Sequence, residues 1–226
     1  MSNVGKIVIA GKDISCYGIV IPKDPAEAEV YAAEELVRYI GLACGARLEI
    51  VSEAKPAIYL GGQGDGSLGD DGLEIRMSGE DLVITGDKPR GTLYGVYTFL
   101  EKLIGWRWYD HKYEKVKAAD CIDIPADVHI REIPVFTMRG ANWHSLVRSR
   151  EFCAKHKCNY EFAKMPEKLG GAVKYAGSHC HTLYNYIPIK EYYDEHPEYF
   201  SMVNGVRIKE QTQLCLTNPD VLNIVV

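Results

Sequence analysis

RGTLYGVYTFLEKLIGWRW, residues 90–108, carries the strongest periodic pattern in this chain of 226 residues. Leu93, Tyr97, Leu100 and Ile104 recur at spacings of three and four, which predicts a helix with an apolar face. Gly91 and Gly95 lie one turn apart, so the backbone can approach a sheet closely. Toward the N-terminus a second stripe, Val30, Ala33, Val37, Ile40 and Cys44, predicts another helix, with Glu27, Glu34 and Arg38 on the opposite face. Asp24-Pro25 reads as its N-cap and first helical residue, and Gly45 as its left-handed terminator.

Strands are predicted at 7–9, 17–21, 48–51 and 57–61, and a hairpin at 73–77 and 81–85 around Ser78-Gly79-Glu80. Residues 61–72 hold six glycines and three aspartates. No Lys-Ser/Thr follows the glycines and the run leads into a strand, so this is a loop rather than a phosphate cradle. With a short strand at 121–124, residues 1–131 read as a non-catalytic α/β sandwich, two helices on a mixed sheet.

The pattern changes near residues 131–134. A strand at 135–139 leads into Gly140-Ala141-Asn142-Trp143-His144, and Ser145 reads as the cap of a helix running to about residue 157. Further strands are predicted at 158–162 and 213–216, with a tyrosine-rich segment between them and Asn218-Pro219 opening a last helix. Residues 132–226 therefore read as the opening of a (β/α)-barrel, two to three strand–helix units. A barrel needs eight, so the architecture is expected to be incomplete. With its strand edge open, the C-terminal half is expected either to be loosely ordered or to be covered by a second chain, as in a homo-oligomer.

The formal net charge of −5, with scattered Lys and Arg, argues against nucleic acid as a partner. No stretch approaches the roughly 20 apolar residues of a membrane span, and the N-terminus shows no signal peptide pattern. The odd count of seven cysteines at irregular spacing points to free thiols rather than a disulfide framework.

RGTLYGVYTFLEKLIG resembles the helix that closes the non-catalytic α/β domain of family 20 β-hexosaminidases and family 67 α-glucuronidases. Trp106-Arg107-Trp108 is similar to their exit strand. HTLYNYIPIKEYYDEHPEYFSMVNGVR (181–207) and QLCLTNPDV (213–221) resemble the middle of family 4838 of domains of unknown function. That family is associated with polysaccharide breakdown and pairs such an N-terminal domain with a (β/α)-barrel. The resemblance implies carbohydrate chemistry, with an oligosaccharide or polysaccharide as partner. It also implies catalytic acids placed after later barrel strands than this chain supplies.

Barrel enzymes build their sites at the C-terminal ends of strands. That rule selects Arg139, Asn142, Trp143 and His144, then His179 and His181, then Thr217 and Asn218 as substrate-binding candidates. Trp stacks on a pyranose face, while Arg, Asn and His hydrogen-bond hydroxyls or a carboxylate. The alternative has Trp143 packed on the first domain and Arg139 paired with a structural carboxylate.

Glycosidic hydrolysis usually takes two carboxyl groups. Glu161 is the best single candidate, but it lacks a partner in a matching loop. Asp194, Glu195 and Glu198 read as a solvated helix side, so no catalytic acid is assigned. Zinc is a rival reading, with Cys153, His156 and Cys158 followed by His179-Cys180-His181. The first three fall on or after a helix and the two outer histidines diverge on an extended chain, so core thiols are preferred and neither a metal nor a cofactor is expected. A Cys180 nucleophile lacks a geometric basis. Tyr184, Tyr186, Tyr192, Tyr193 and Tyr199 are read as packing residues rather than a sugar platform. Three functions follow: a glycoside-hydrolase-like fragment without its catalytic carboxylates, a non-enzymatic carbohydrate-binding or interaction module, and a zinc-binding structural protein.

Overall fold

The computed structural model describes residues 3–62, 66–160, 164–174 and 182–226. The chain divides into two compact units, Met1–Lys174 and Tyr175–Val226.

The first unit is a mixed α/β body. β1 (Val4–Ile9) and β2 (Lys12–Asp13) precede β3 (Gly18–Val20), α1 (Glu27–Cys44), β4 (Ile50–Val51) and β5 (Ala57–Leu60). β6 (Leu73–Ser78) and β7 (Asp81–Gly86) form the expected hairpin, and α2 (Gly91–Phe99) follows, extended by a π-helical turn over Leu100–Ile104. β8 (Trp106–Asp110), β9 (Tyr113–Val116), β10 (Ala119–Ile124) and β11 (His129–Glu132) come next. The six-stranded sheet has the order β11-β6-β7-β5-β3-β4, parallel from β7 through β4 and antiparallel at β6 and β11. A smaller sheet, β10-β1-β2, pairs β10 with β1 in parallel.

All nine residues of α2 are buried, not one stripe. A helix that is apolar all round belongs inside a layered body. Glycine makes this possible. A Cβ on Gly91 would lie 2.3 Å from the Gly72 carbonyl oxygen, and one on Gly95 would lie 2.8 Å from Ile84 Cγ2 of β7. In α1 the buried face is Ala32, Ala33, Leu36, Tyr39, Ile40 and Ala43, rotated from the expected stripe, with Val30, Val37 and Cys44 only half-buried. Its N-cap is Ala26 rather than Asp24: the Glu29 carboxylate accepts the Ala26 N–H at 2.8 Å. Gly45 ends the helix at φ 79°, as read.

α1 and the β8–β9 hairpin are joined by an aromatic and charged cluster. Tyr39 meets Trp106 and Trp108 edge-on at 4.8 and 5.7 Å, and its hydroxyl donates to Glu114 Oε2 at 2.6 Å. Arg38 and Lys155 reach the same carboxylate at 3.2 and 3.1 Å. Burial works to raise the Glu114 pKa, but the Tyr39 hydroxyl and these cations outweigh it and hold the carboxyl below its ordinary 4.5.

After β11 the expected strand at 135–139 is absent, with Val135 92% and Phe136 73% exposed. Apolar alternation alone cannot make a strand without a ladder partner. The expected single helix to residue 157 is instead α3 (His144–Arg148) and α4 (Arg150–Lys155), broken at Ser149, whose side chain accepts the Phe152 N–H. Ser149 therefore takes the capping role assigned to Ser145. Phe152, Cys153 and Ala154 join the main core. At the strand predicted for 158–162, Tyr160 makes an isolated bridge to Val173, and residues 161–163 lie outside the described ones.

In the second unit, α5 (Ile189–Tyr192) precedes a hairpin of β12 (Met202–Val203) and β13 (Val206–Arg207), turned by Asn204-Gly205 with φ of 50° and 80°. Such paired positive φ values are what an Asn-Gly turn supplies. Leu214 makes only an isolated bridge, to Phe200, and α6 (Pro219–Val225) closes the unit. Ile187, Tyr199, Phe200, Leu214 and Val221 form its core, with Tyr192 and Tyr193 packed on it. Among the described residues no helix is long and apolar enough to cross a membrane.

Two outcomes follow. Gly91→Ala should lose about 1–3 kcal/mol by overpacking against Gly72, whereas Gly41→Ala, whose Cβ would meet nothing nearer than 3.6 Å, should be neutral or slightly stabilising; urea midpoints of the two variants check this. Because the folded pKa of Glu114 is depressed, its contribution is present above the ordinary value and lost as pH falls through the folded one. Glu114→Gln should therefore lower the melting temperature at neutral pH and flatten its decline toward about pH 3.

Candidate functional site

Asp71, at the end of the glycine-rich loop, is a buried hub. Its Oδ1 accepts Arg90 Nε at 2.5 Å, and its Oδ2 accepts Arg139 Nη2 and Asn159 Nδ2, each at 2.6 Å. Arg90 sits at the start of α2, where its Nη1 donates to the Gly170 and Gly171 carbonyls at 2.9 and 3.3 Å. Both glycines have positive φ, 84° and 67°. Arg139 also donates from Nε to the Lys157 carbonyl at 2.9 Å and from Nη1 to the Phe136 carbonyl at 2.7 Å. One carboxylate thus ties together the loop, α2 and two later segments. Two guanidiniums against one carboxylate leave a formal excess of one positive charge.

Arg139 was a substrate-binding candidate; here its guanidinium is committed to the hub. Its backbone is fixed as well, since the Arg139 N–H donates to Asn159 Oδ1 at 2.7 Å and its carbonyl accepts the Asn159 N–H at 2.9 Å. Gly140 lies so close to the Tyr160 ring that a Cβ would fall 2.3 Å from it. From this anchored root the chain presents Asn142, Trp143 and His144, all exposed, with Trp143 64% accessible. Asn218 belongs to the second unit, where its side chain caps α6 by accepting the Asp220 N–H at 2.9 Å; Thr217 is exposed beside it. His179, His181, Cys180 and Glu161 lie outside the described residues.

Two clefts flank the hub. A small one of about 150 Å³ is lined by Asp70, Asp71, Ile133, Phe136 and Arg139 among others. A larger one of about 650 Å³ lies between Pro89-Arg90 and residues 164–174. Asp70 and Asp71 share the small cleft, but both oxygens of Asp71 are already taken.

Other buried carboxylates are similarly engaged. Glu35 accepts from Tyr97 and Arg38 at 2.9 and 3.2 Å, and Glu29 accepts two backbone N–H groups. Ser145, Asp110 and His111 have the composition of a nucleophile triad but not its connectivity. The Ser145 hydroxyl donates to Asp110, and His111 uses the same nitrogen, Nδ1, toward Asp110 at 3.0 Å and Ser145 at 3.3 Å. A relay needs the imidazole between hydroxyl and carboxylate, one nitrogen to each.

Cys153 Sγ donates to the Leu146 carbonyl at 2.9 Å, and burial pushes its thiol pKa up to about 12. His156 Nε2 lies 3.0 Å from the Trp108 carbonyl oxygen. Cys153 is occupied within the core, and His156 is exposed with that ring nitrogen engaged by the carbonyl. Among the described residues no group of three or more His, Cys, Asp or Glu could hold a metal ion.

Sequence reading missed Asp71, Arg90 and Asn159. They stand in a loop, at a helix start and after a helix, with no spacing that links them. Asp71→Asn should destabilise the protein by about 3–5 kcal/mol, because the buried Arg90 and the half-buried Arg139 lose their counter-charge; chemical denaturation reads this directly, and an unchanged midpoint would count against the hub.

Among solved structures, a family GH20 β-N-acetylhexosaminidase from Streptomyces coelicolor is 23% identical over 64% of this chain and 29% of its own, with a TM-score of 0.46. An N-acetyl-β-hexosaminidase from Streptomyces plicatus is 22% identical over 62% and 28%, at 0.43. A GH138 enzyme targeting pectin rhamnogalacturonan II is 17% identical over 44% and 11%, at 0.30. The chain spans less than a third of the length of each. No curated protein matches it. The sequence profile of the domain of unknown function DUF4838 matches residues 108–226, more than half of the chain, and this protein belongs to that family.

Proposed function

We propose that this chain is part of a carbohydrate-processing, glycoside-hydrolase-like protein, and that its own share of the work is support and sugar contact rather than bond cleavage. The observation that carries the reading is Trp143, 64% exposed on a segment whose root is locked by Arg139, Asn159 and Tyr160. A large aromatic held out to solvent on a fixed backbone is the surface a pyranose ring stacks on. Asn142 and His144 beside it supply hydrogen-bonding groups. His179, His181 and Asn218 are assigned to the same task, with an oligosaccharide or polysaccharide as ligand.

In this reading residues 1–131 support, and residues 132–226 form part of a (β/α)-barrel domain to which residues 135–139 supply no strand. The exposed Ile133, Val135 and Phe136 are an apolar surface that a second copy of the chain would cover. The catalytic acids come from outside the described residues. What supports this is the state of the buried carboxylates Asp71, Glu29 and Glu35, each engaged by hydrogen bonds or cations. A general acid or nucleophile for glycoside cleavage needs a carboxyl facing the substrate, with a second one across the bond.

The test is titration calorimetry of the 226-residue chain with neutral oligosaccharides, alongside a chromogenic-sugar assay. Binding without turnover is expected, and Trp143→Ala should weaken it about two- to tenfold without changing stability. Sugar release by this chain, or binding indifferent to Trp143→Ala, would overturn the reading.

A further inference from the structure

The cleft of about 650 Å³ is lined by Arg90, Lys164, Lys174 and Glu167, with Pro89 and Met165 as apolar wall. Its volume is in the range of small-molecule sites. Three cations face one carboxylate. Neither lysine has an ion pair among the described residues, while the neighbouring Lys168 is paired with Glu151 at 3.7 Å. Arg90 is 4% exposed, and its position is fixed through Nε and Nη1 by Asp71 and the Gly170 and Gly171 carbonyls. Its Nη2 makes no hydrogen bond among the described residues. Asp71, the carboxylate paired with Arg90, is shared with Arg139, so the cleft carries a net positive charge even with Glu167 in its lining.

Backbone geometry sets the same region apart. Lys164 has φ 47°, a left-handed conformation that side-chain-bearing residues adopt at a cost and that concentrates at functional positions. A Cβ on Gly170 would fall 2.2 Å from Arg90 Cγ, so the backbone there is closed down onto the arginine. A guanidinium held from behind, two exposed ammonium groups at the rim and an apolar wall suit a ligand with a carboxylate on a compact, partly apolar ring.

We propose that this cleft is an anion site for a carboxylate-bearing sugar, separate from the Trp143 surface. The sugar class rests on the carbohydrate reading above; the anionic character rests on the cleft alone. Arg90 and the two lysines bind the carboxylate, and Glu167 accepts from ring hydroxyls at the opposite side.

The experiment titrates the full chain with a short oligogalacturonate, its neutral galactose counterpart and inorganic phosphate. The acidic oligomer should bind, and its affinity should fall with added salt. Lys164→Gln with Lys174→Gln, both exposed and neutral to the fold, should weaken it about tenfold or more, as expected for losing charged hydrogen bonds. Trp143→Ala should leave it unchanged. Oligogalacturonate affinity untouched by the lysine pair would overturn the site. Phosphate binding as tightly, with the same lysine dependence, would overturn its sugar character. Neutral-sugar binding lost in Trp143→Ala but intact in the lysine pair, together with no acidic-sugar binding, would sink the cleft and spare the carbohydrate reading; the converse pattern would spare the cleft and sink the Trp143 surface.

Discussion

A buried carboxylate with two guanidiniums on it constrains most of the first unit. Asp71 gathers Arg90, Arg139 and Asn159 from three other stretches of chain. Burying one charge is costly, and burying Asp71 and Arg90 with Arg139 half-buried beside them is tolerable only when most donors and lone pairs are used. That requirement fixes where the glycine-rich loop ends, where α2 begins and where the segment after β11 turns back. It also explains why that segment stays anchored although it forms no strand.

Close packing around α2 sets the second constraint. The helix is buried on all sides because Gly91 and Gly95 let it approach β7 and the Gly72 carbonyl. Its other side meets α1, where alanines keep the distance short and Glu35 accepts from the Tyr97 hydroxyl. Burial pushes the Tyr97 pKa well up, with Glu35 adding to it, so the hydroxyl stays protonated and keeps donating. The Tyr39–Trp106–Trp108–Glu114 cluster then joins α1 to the β8–β9 hairpin.

These two constraints separate structure from surface chemistry. Charges that could have served catalysis are spent inside: Asp71, Glu35 and Arg139 hold segments together. What remains accessible is Trp143 and its neighbours on one segment and the cationic cleft beside Arg90. Membership of the DUF4838 family covers residues 108–226, so it takes in the Trp143 segment and the Lys164–Lys174 wall of the cleft but not Arg90.

The sequence by itself determined the α/β character, the two long helices, the β6–β7 hairpin and the cap at Asn218, because periodicity, glycine and capping side chains act over one or two turns of chain. It also singled out Asn142 and Trp143 as substrate-binding candidates, and both are exposed; of the cysteines read as core thiols, Cys153 is buried and Cys158 half-buried, while Cys16 and Cys121 are exposed. Tertiary structure alone decided that residues 135–139 form no strand, that Ser149 rather than Ser145 caps a helix, and that Arg139 turns inward. Each of these involves a partner far along the chain: even the local Ser149 cap goes with a Ser145 hydroxyl taken by Asp110, 35 residues away. A strand needs a neighbour to bond, and an arginine points inward only where a buried carboxylate awaits it; Asp71 lies 68 residues away, a separation over which no local pattern carries information.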